Sequence, residues 1–174
     1  MLKGLVLYLV VSLFAGDAAG DLQIYRQEYQ RIHLSEQAVQ KIISLSKSST
    51  LSGTTSEAYA AAAFLCSAKY KSSPIASYQT FNKGKNMLDA AVKKDTCNVD
   101  ARFLRYTIQL KAPAFLGYTA SCKGDRAFLL AKLPQLRTLD PSMYAIVQGF
   151  MLVHDEKAKQ ILLSANKTTT NNKL

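Results

Sequence analysis

VDARFLRYTIQLKAPAFLGYTASCKGDRAFL, residues 99–129, decides how the chain is read. Its first part has the 3.6-residue period of an α-helix, with Phe103, Leu104, Tyr106, Ile108 and Leu110 as apolar positions. Between them Arg102, Arg105 and Gln109 form a narrow polar stripe, within about 60° on a helical wheel. Apolar residues flank that stripe on both sides, so the two guanidiniums must be paired or solvated: an unpaired buried charge costs several kcal/mol. Pro113 stops the helix, and Phe115, Leu116 and Tyr118 are expected to fold back as an apolar cover. Asp125 follows closely enough to return to the arginine face.

The same period recurs outward from this segment, and strand alternation does not. Residues 22–33 place Leu22, Tyr25, Tyr29 and Ile32 on one face. Ser35 is placed to cap a helix carrying Ala38, Val39, Ile42, Ile43 and Leu45. SKSSTLSGTTS reads as a loop, and Thr54 with Glu57 reads as a capping box for an Ala-rich helix. Ser73-Pro74 opens the next helix, with proline at its first position and Ile75, Tyr78, Phe81, Gly84, Leu88 and Ala91 as the expected inner face. Gly84 points to close helix packing.

Downstream, Gly124-Asp125 opens a helix through about Leu136, which Pro134 is expected to kink or end. Asp140-Pro141 starts another, with Met143, Val147, Phe150, Met151, His154, Ala158 and Ile161 along one side. The fold class is therefore all-α, a bundle of antiparallel helix pairs with about 6–7 helices in the mature chain. The organisation read from the sequence is a signal peptide over residues 1–20, one helical domain over 21–163 and a disordered polar tail over 164–174.

The N-terminus supports export. Lys3 precedes an apolar run from Gly4 to Gly16, and Ala18-Ala19-Gly20 supplies small residues for cleavage after Gly20, or after Ala18. The run is shorter than the ~20 residues of a spanning helix, so no stable transmembrane anchor is expected; an uncleaved anchor is the alternative. About 154 residues remain, enough for a substantial core. The formal net charge is +10. In an exported protein that suits an acidic protein partner or an anionic envelope component, or serves solubility alone. The lysines are scattered without aromatic interleaving, which argues against nucleic acid.

Catalytic and cofactor signatures are lacking. His33 and His154 have no metal-ligand spacing, and neither a nucleophile motif nor a phosphate loop is present. No cofactor is implied. Of the three cysteines, Cys66 reads as a core residue, whereas Cys97 and Cys122 either form a disulfide or remain free loop thiols.

Two resemblances add to this. Ala91-Val92-x-x-Asp95-x-x-Asn98-x-x-Ala101 resembles the junction between two tetratricopeptide (TPR) repeats, with Thr96 in place of the usual proline. It covers about one and a half repeats, so the fold is TPR-like rather than a repeat array. The segment R-F-L-R-x-x-x-Q-x-x-x-P-x-F-L-x-Y, followed by an aspartate, resembles a hallmark of a small uncharacterised family of exported bacterial helical proteins. Phe81-Asn-Lys-Gly-Lys85 and the N-terminal helices are similar to that family too. The resemblance implies an all-α fold and export, and transfers no catalytic residues.

The expected function is a non-catalytic interaction or scaffold module. The alternative is a binding protein for a small anion or a peptide carboxylate, gripped bidentately by the arginine pair. Its candidate residues are Arg102, Arg105, Gln109, Tyr118 and Asp125. In the structural reading Arg102 and Arg105 pair instead with an acid of the domain, from among Asp125, Asp89, Asp95 and Glu57, and Gln109 satisfies carbonyls of the 112–114 loop.

Overall fold

The computed structural model describes residues 18–51 and 53–171. Eight α-helices account for most of them: α1 Ala18–Arg31, α2 Glu36–Ser48, α3 Thr54–Cys66, α4 Pro74–Lys94, α5 Val99–Lys111, α6 Cys122–Leu139, α7 Pro141–His154 and α8 Glu156–Asn171. Single 3-10 turns lie at Ser67–Tyr70 and Ala114–Leu116. The fold is all-α, with no strand among the described residues. The residues expected to form the signal peptide, up to position 17, lie outside those described.

Packing divides the described residues into two compact units, the first ending at Ala101 and the second starting at Arg102, a boundary that falls inside α5. Each unit is treated by itself.

In the first unit, α1 to α4 pack consecutively. Ser35 caps α2 through its hydroxyl, which accepts the Ala38 N–H at 3.3 Å. Ser73 does the same for α4, whose first residue is Pro74. Thr54 does not cap α3. It is the first helical residue, and Gly53 takes the cap position at a φ of 83°, where a Cβ would be strained. Glu57 consequently turns outward to Lys94, 2.6 Å away.

The alanines of α3 let α4 approach closely. A Cβ added to Gly84 would lie 2.5 Å from the Leu65 Cα. The buried face of α4 runs from Phe81 to Val92, whereas Ile75 and Tyr78, expected inside, stand in solvent. Those two residues precede the region where α3 covers the helix. Asp21 fastens the first turn of α1 to the α2–α3 loop: its carboxylate accepts Ser49 Oγ (2.7 Å), the Thr50 N–H (2.8 Å) and Thr50 Oγ1 (2.9 Å). The Ser49 and Thr50 hydrogen bonds hold this carboxyl below the ordinary aspartate range.

In the second unit, α6, α7 and α8 pack consecutively. Pro134 lies inside α6 without ending it; it sits on the exposed side, where a backbone carbonyl deprived of its N–H partner can take water. One long C-terminal helix was expected, and two are found. Asp155 adopts extended backbone (φ −131°, ψ 100°), ends α7 and caps α8 by accepting the Lys157 and Ala158 N–H groups at 3.0 and 3.2 Å. The break leaves Met143, Val147, Met151 and Ala158 buried but puts His154 and Ile161 outside. From Ser164 the chain continues α8 as far as Asn171. A capped helix propagates through polar residues that carry no breaker.

Gly84→Ala should destabilise the protein by about 1–3 kcal/mol in urea unfolding, because the clash falls on backbone that cannot rotate away. A gain of about 1 kcal/mol, the helix propensity of alanine over glycine, would instead mean that α3 and α4 separate freely.

Candidate functional site

Three aspartates at helix starts organise the polar interior of the two units. Asp125, in the first turn of α6, has no solvent exposure at all (0%). Both stripe arginines come to it. Arg105 grips it bidentately, Nε to Oδ2 at 2.7 Å and Nη2 to Oδ1 at 2.8 Å, and Arg102 Nη1 reaches Oδ1 at 2.9 Å. Arg102 also lies 4.5 Å from the centre of the Phe128 ring, one turn along α6 from Asp125. Its side chain keeps 20% of its surface in contact with solvent, that of Arg105 12%.

Of the five candidate site residues, the structure therefore brings Arg102, Arg105 and Asp125 into one cluster. Tyr118 is buried in the loop leading to α6. Gln109 is 2% exposed, and its Oε1 has no hydrogen-bond donor. The expected role of that amide on the 112–114 carbonyls is not seen. The expected cover is only partly formed, since Tyr118 is buried but Phe115 is 85% exposed.

The second cluster was not read from the sequence. Asp155 Oδ2 accepts the Tyr106 hydroxyl at 2.5 Å and the Arg126 Nε–H, while Oδ1 caps α8. Burial by itself would raise the Asp155 pKa; the Tyr106 and Arg126 hydrogen bonds outweigh it and hold the carboxyl below its usual value. Burial pushes the Tyr106 phenol up, and the Asp155 carboxylate adds to that. Phe150 packs edge-on against Phe103 and Tyr106, with ring centres 5.6 and 5.8 Å away.

The third cluster lies in the first unit and was also missed. Arg26 grips Asp100 bidentately, Nε to Oδ1 at 3.0 Å and Nη2 to Oδ2 at 2.9 Å, and Tyr59 donates its hydroxyl to Oδ1 at 2.7 Å. Burial, and next the Asp100 charge, keep the Tyr59 phenol protonated. Tyr59 stacks on Tyr25 with ring centres 5.0 Å apart, and Tyr25 shares a 3.0 Å hydrogen bond with Ser56. Little in the sequence pointed to this cluster: on the α1 wheel Arg26 lies about 40° beyond Leu22, at the edge of the apolar sector and next to Gln30.

Cys66, Cys97 and Cys122 stand as free thiols. Cys97 is exposed in the turn before α5, where its N–H is held by Asp95 Oδ1 at 3.0 Å. Cys122 is buried at the start of α6. Burial pushes the Cys66 thiol up to about 12, so it is protonated at neutral pH. Among the described residues, no group of three or more His, Cys, Asp or Glu could hold a metal ion, and no helix is long and apolar enough to cross a membrane. No family model matches the chain, nor does any curated protein or solved structure.

Arg105→Ala should lower stability by roughly 3–5 kcal/mol in thermal and urea melts, because it strips the bidentate partner from a fully buried carboxylate. A melt indistinguishable from wild type would mean that the arginine is not structural.

Asp155 supplies a pH signature. Its folded pKa lies below the unfolded value of about 3.9, so its contribution is complete above that pH and is lost as pH falls through the lower folded value. Asp155→Asn should therefore be less stable than wild type at neutral pH, and the gap should narrow when urea melts are repeated at about pH 3. A gap independent of pH would contradict this ionisation.

Proposed function

We propose that the protein is an exported, non-catalytic interaction module of TPR-like helix pairs, which engages a protein or an anionic envelope component through its outer surface. One observation carries this reading. The arginine pair that would grip a small anion is already committed to Asp125 inside its own unit, with Arg105 bound through both ends of its fork. A ligand carboxylate would have to displace a buried one that is held at 2.7–2.9 Å. Large apolar side chains meanwhile stand in solvent, among them Leu34, Ile75, Tyr78, Phe115 and Val153, and the chain is strongly basic.

Two measurements test the reading together. Millimolar citrate, phosphate or an acetylated dipeptide should leave the melting temperature unchanged. The protein should co-sediment with envelope fragments at low ionic strength and be released by salt well above 0.1 M, where the Debye length is about 10 Å and surface attraction fades. A saturable rise in melting temperature with one of the small anions, abolished in Arg102→Ala, would favour the anion-binding alternative and overturn the module reading.

A further inference from the structure

At one end of the first unit, two turns meet. The α1–α2 turn, residues 32–35, and the 3-10 turn after α3 are tied by Lys69, whose Nζ donates to the His33 carbonyl at 2.7 Å. The 3-10 turn also packs against α2. Leu34, in the first of these turns, is 87% exposed, and Ile75 and Tyr78, at the start of α4 just after the second, are 72% and 57% exposed. Ile75 and Tyr78 lie three residues apart in the first turns of α4 and so neighbour each other on its surface.

The charge around them has one sign for a long stretch. Between Glu57 and Asp89 the chain holds no acidic residue and four lysines, Lys69, Lys71, Lys83 and Lys85. Lys69, Lys71 and Arg31 are exposed at the same end. The acids flanking the α1–α2 turn in sequence are Glu28, which pairs with Arg31 at 3.8 Å, and Glu36 at the start of α2.

We infer that this end of the first unit is a docking surface for an anionic lipid bilayer, with Leu34, Ile75 and Tyr78 entering the headgroup region and Arg31, Lys69 and Lys71 lying over the phosphates. The inference rests on the interaction-module reading and names its partner. Interfacial binding needs buried apolar area together with attraction to anionic lipid, and this end joins the two. A tyrosine beside aliphatic residues suits the interface, where its ring is buried and its hydroxyl stays wet. Basic side chains next to the surface add attraction that salt screens. An acidic protein groove would use the same charges, but it would not require a leucine and an isoleucine so fully in water.

The chain contains no tryptophan, so Ile75→Trp and Tyr78→Trp each place one fluorophore at the surface. With phosphatidylglycerol-containing vesicles both emissions should shift to the blue, and with phosphatidylcholine alone neither should. In flotation, the full chain should bind the anionic vesicles, and Ile75→Ser/Tyr78→Ser should bind about tenfold less or worse at unchanged melting temperature. Phe115→Ser, an exposed apolar change in the other unit, should bind as wild type does.

Unshifted emission, or equal flotation of the wild type and the double variant, would overturn the lipid surface and place any vesicle binding elsewhere in the chain. Loss of envelope co-sedimentation in the double variant without any vesicle binding would assign the end to a protein partner, overturning the lipid inference and leaving the module reading intact. Failure to bind either vesicles or envelope fragments would overturn both.

Discussion

A carboxylate shut away from water at the start of a helix has to be answered by cations and donors from another helix. Much of this protein's interior follows from meeting that requirement three times. Asp100 is answered by Arg26 and Tyr59, Asp125 by Arg102 and Arg105, and Asp155 by Arg126 and Tyr106. The position of each aspartate is itself favourable, because the positive end of the helix dipole and its free N–H groups welcome negative charge. What would be costly is the burial, and the bidentate guanidiniums offset it with directed, charge-assisted hydrogen bonds. Apolar packing brings helices together in many ways, whereas a buried carboxylate accepts few of them. Our account of the fold is that these pairs select which helix start meets which helix face.

The sequence showed one of the three clusters because its signal was local. Arg102, Arg105 and Gln109 stand at helical spacing within an apolar helix, and Asp125 follows after a short loop. Arg26 and Asp100 are 74 residues apart, and neither is unusual beside its own neighbours. Arg126 and Asp155 escaped for a different reason. Periodicity carried one helix through Asp155, so its role as the stop of α7 and the cap of α8 was invisible, and with it the need for partners. The same oversight kept His154 and Ile161 on a buried face that ends at the break. Ile75 and Tyr78 obeyed the helical pattern but had no neighbour to cover them, and a single sequence does not say where the neighbour stops. Gly84 was legible because few uses other than close approach justify a glycine in mid-helix. Ser35 and Ser73 were legible because capping is local chemistry.

The division between interior and surface also bears on function. The arginines that stand out in the sequence turn inward to Asp125. The residues that the proposed module would present are plainer ones: exposed aliphatics and tyrosine, and lysines in a stretch without acids. Under the proposed reading, recognition would go by area and charge rather than by a pocket.

The most direct measurement is a double-mutant cycle on Arg26 and Asp100, the pair with the longest sequence separation among the clusters. Urea unfolding of wild type, Arg26→Gln, Asp100→Asn and the double variant gives the coupling energy between the two side chains. The account predicts strong coupling, at the upper end of the 0.5–3 kcal/mol range typical of residues in contact, so that the second substitution costs far less once the first is made. Additive losses, with coupling below about 0.5 kcal/mol, would contradict the claim that these buried pairs determine how the helices meet.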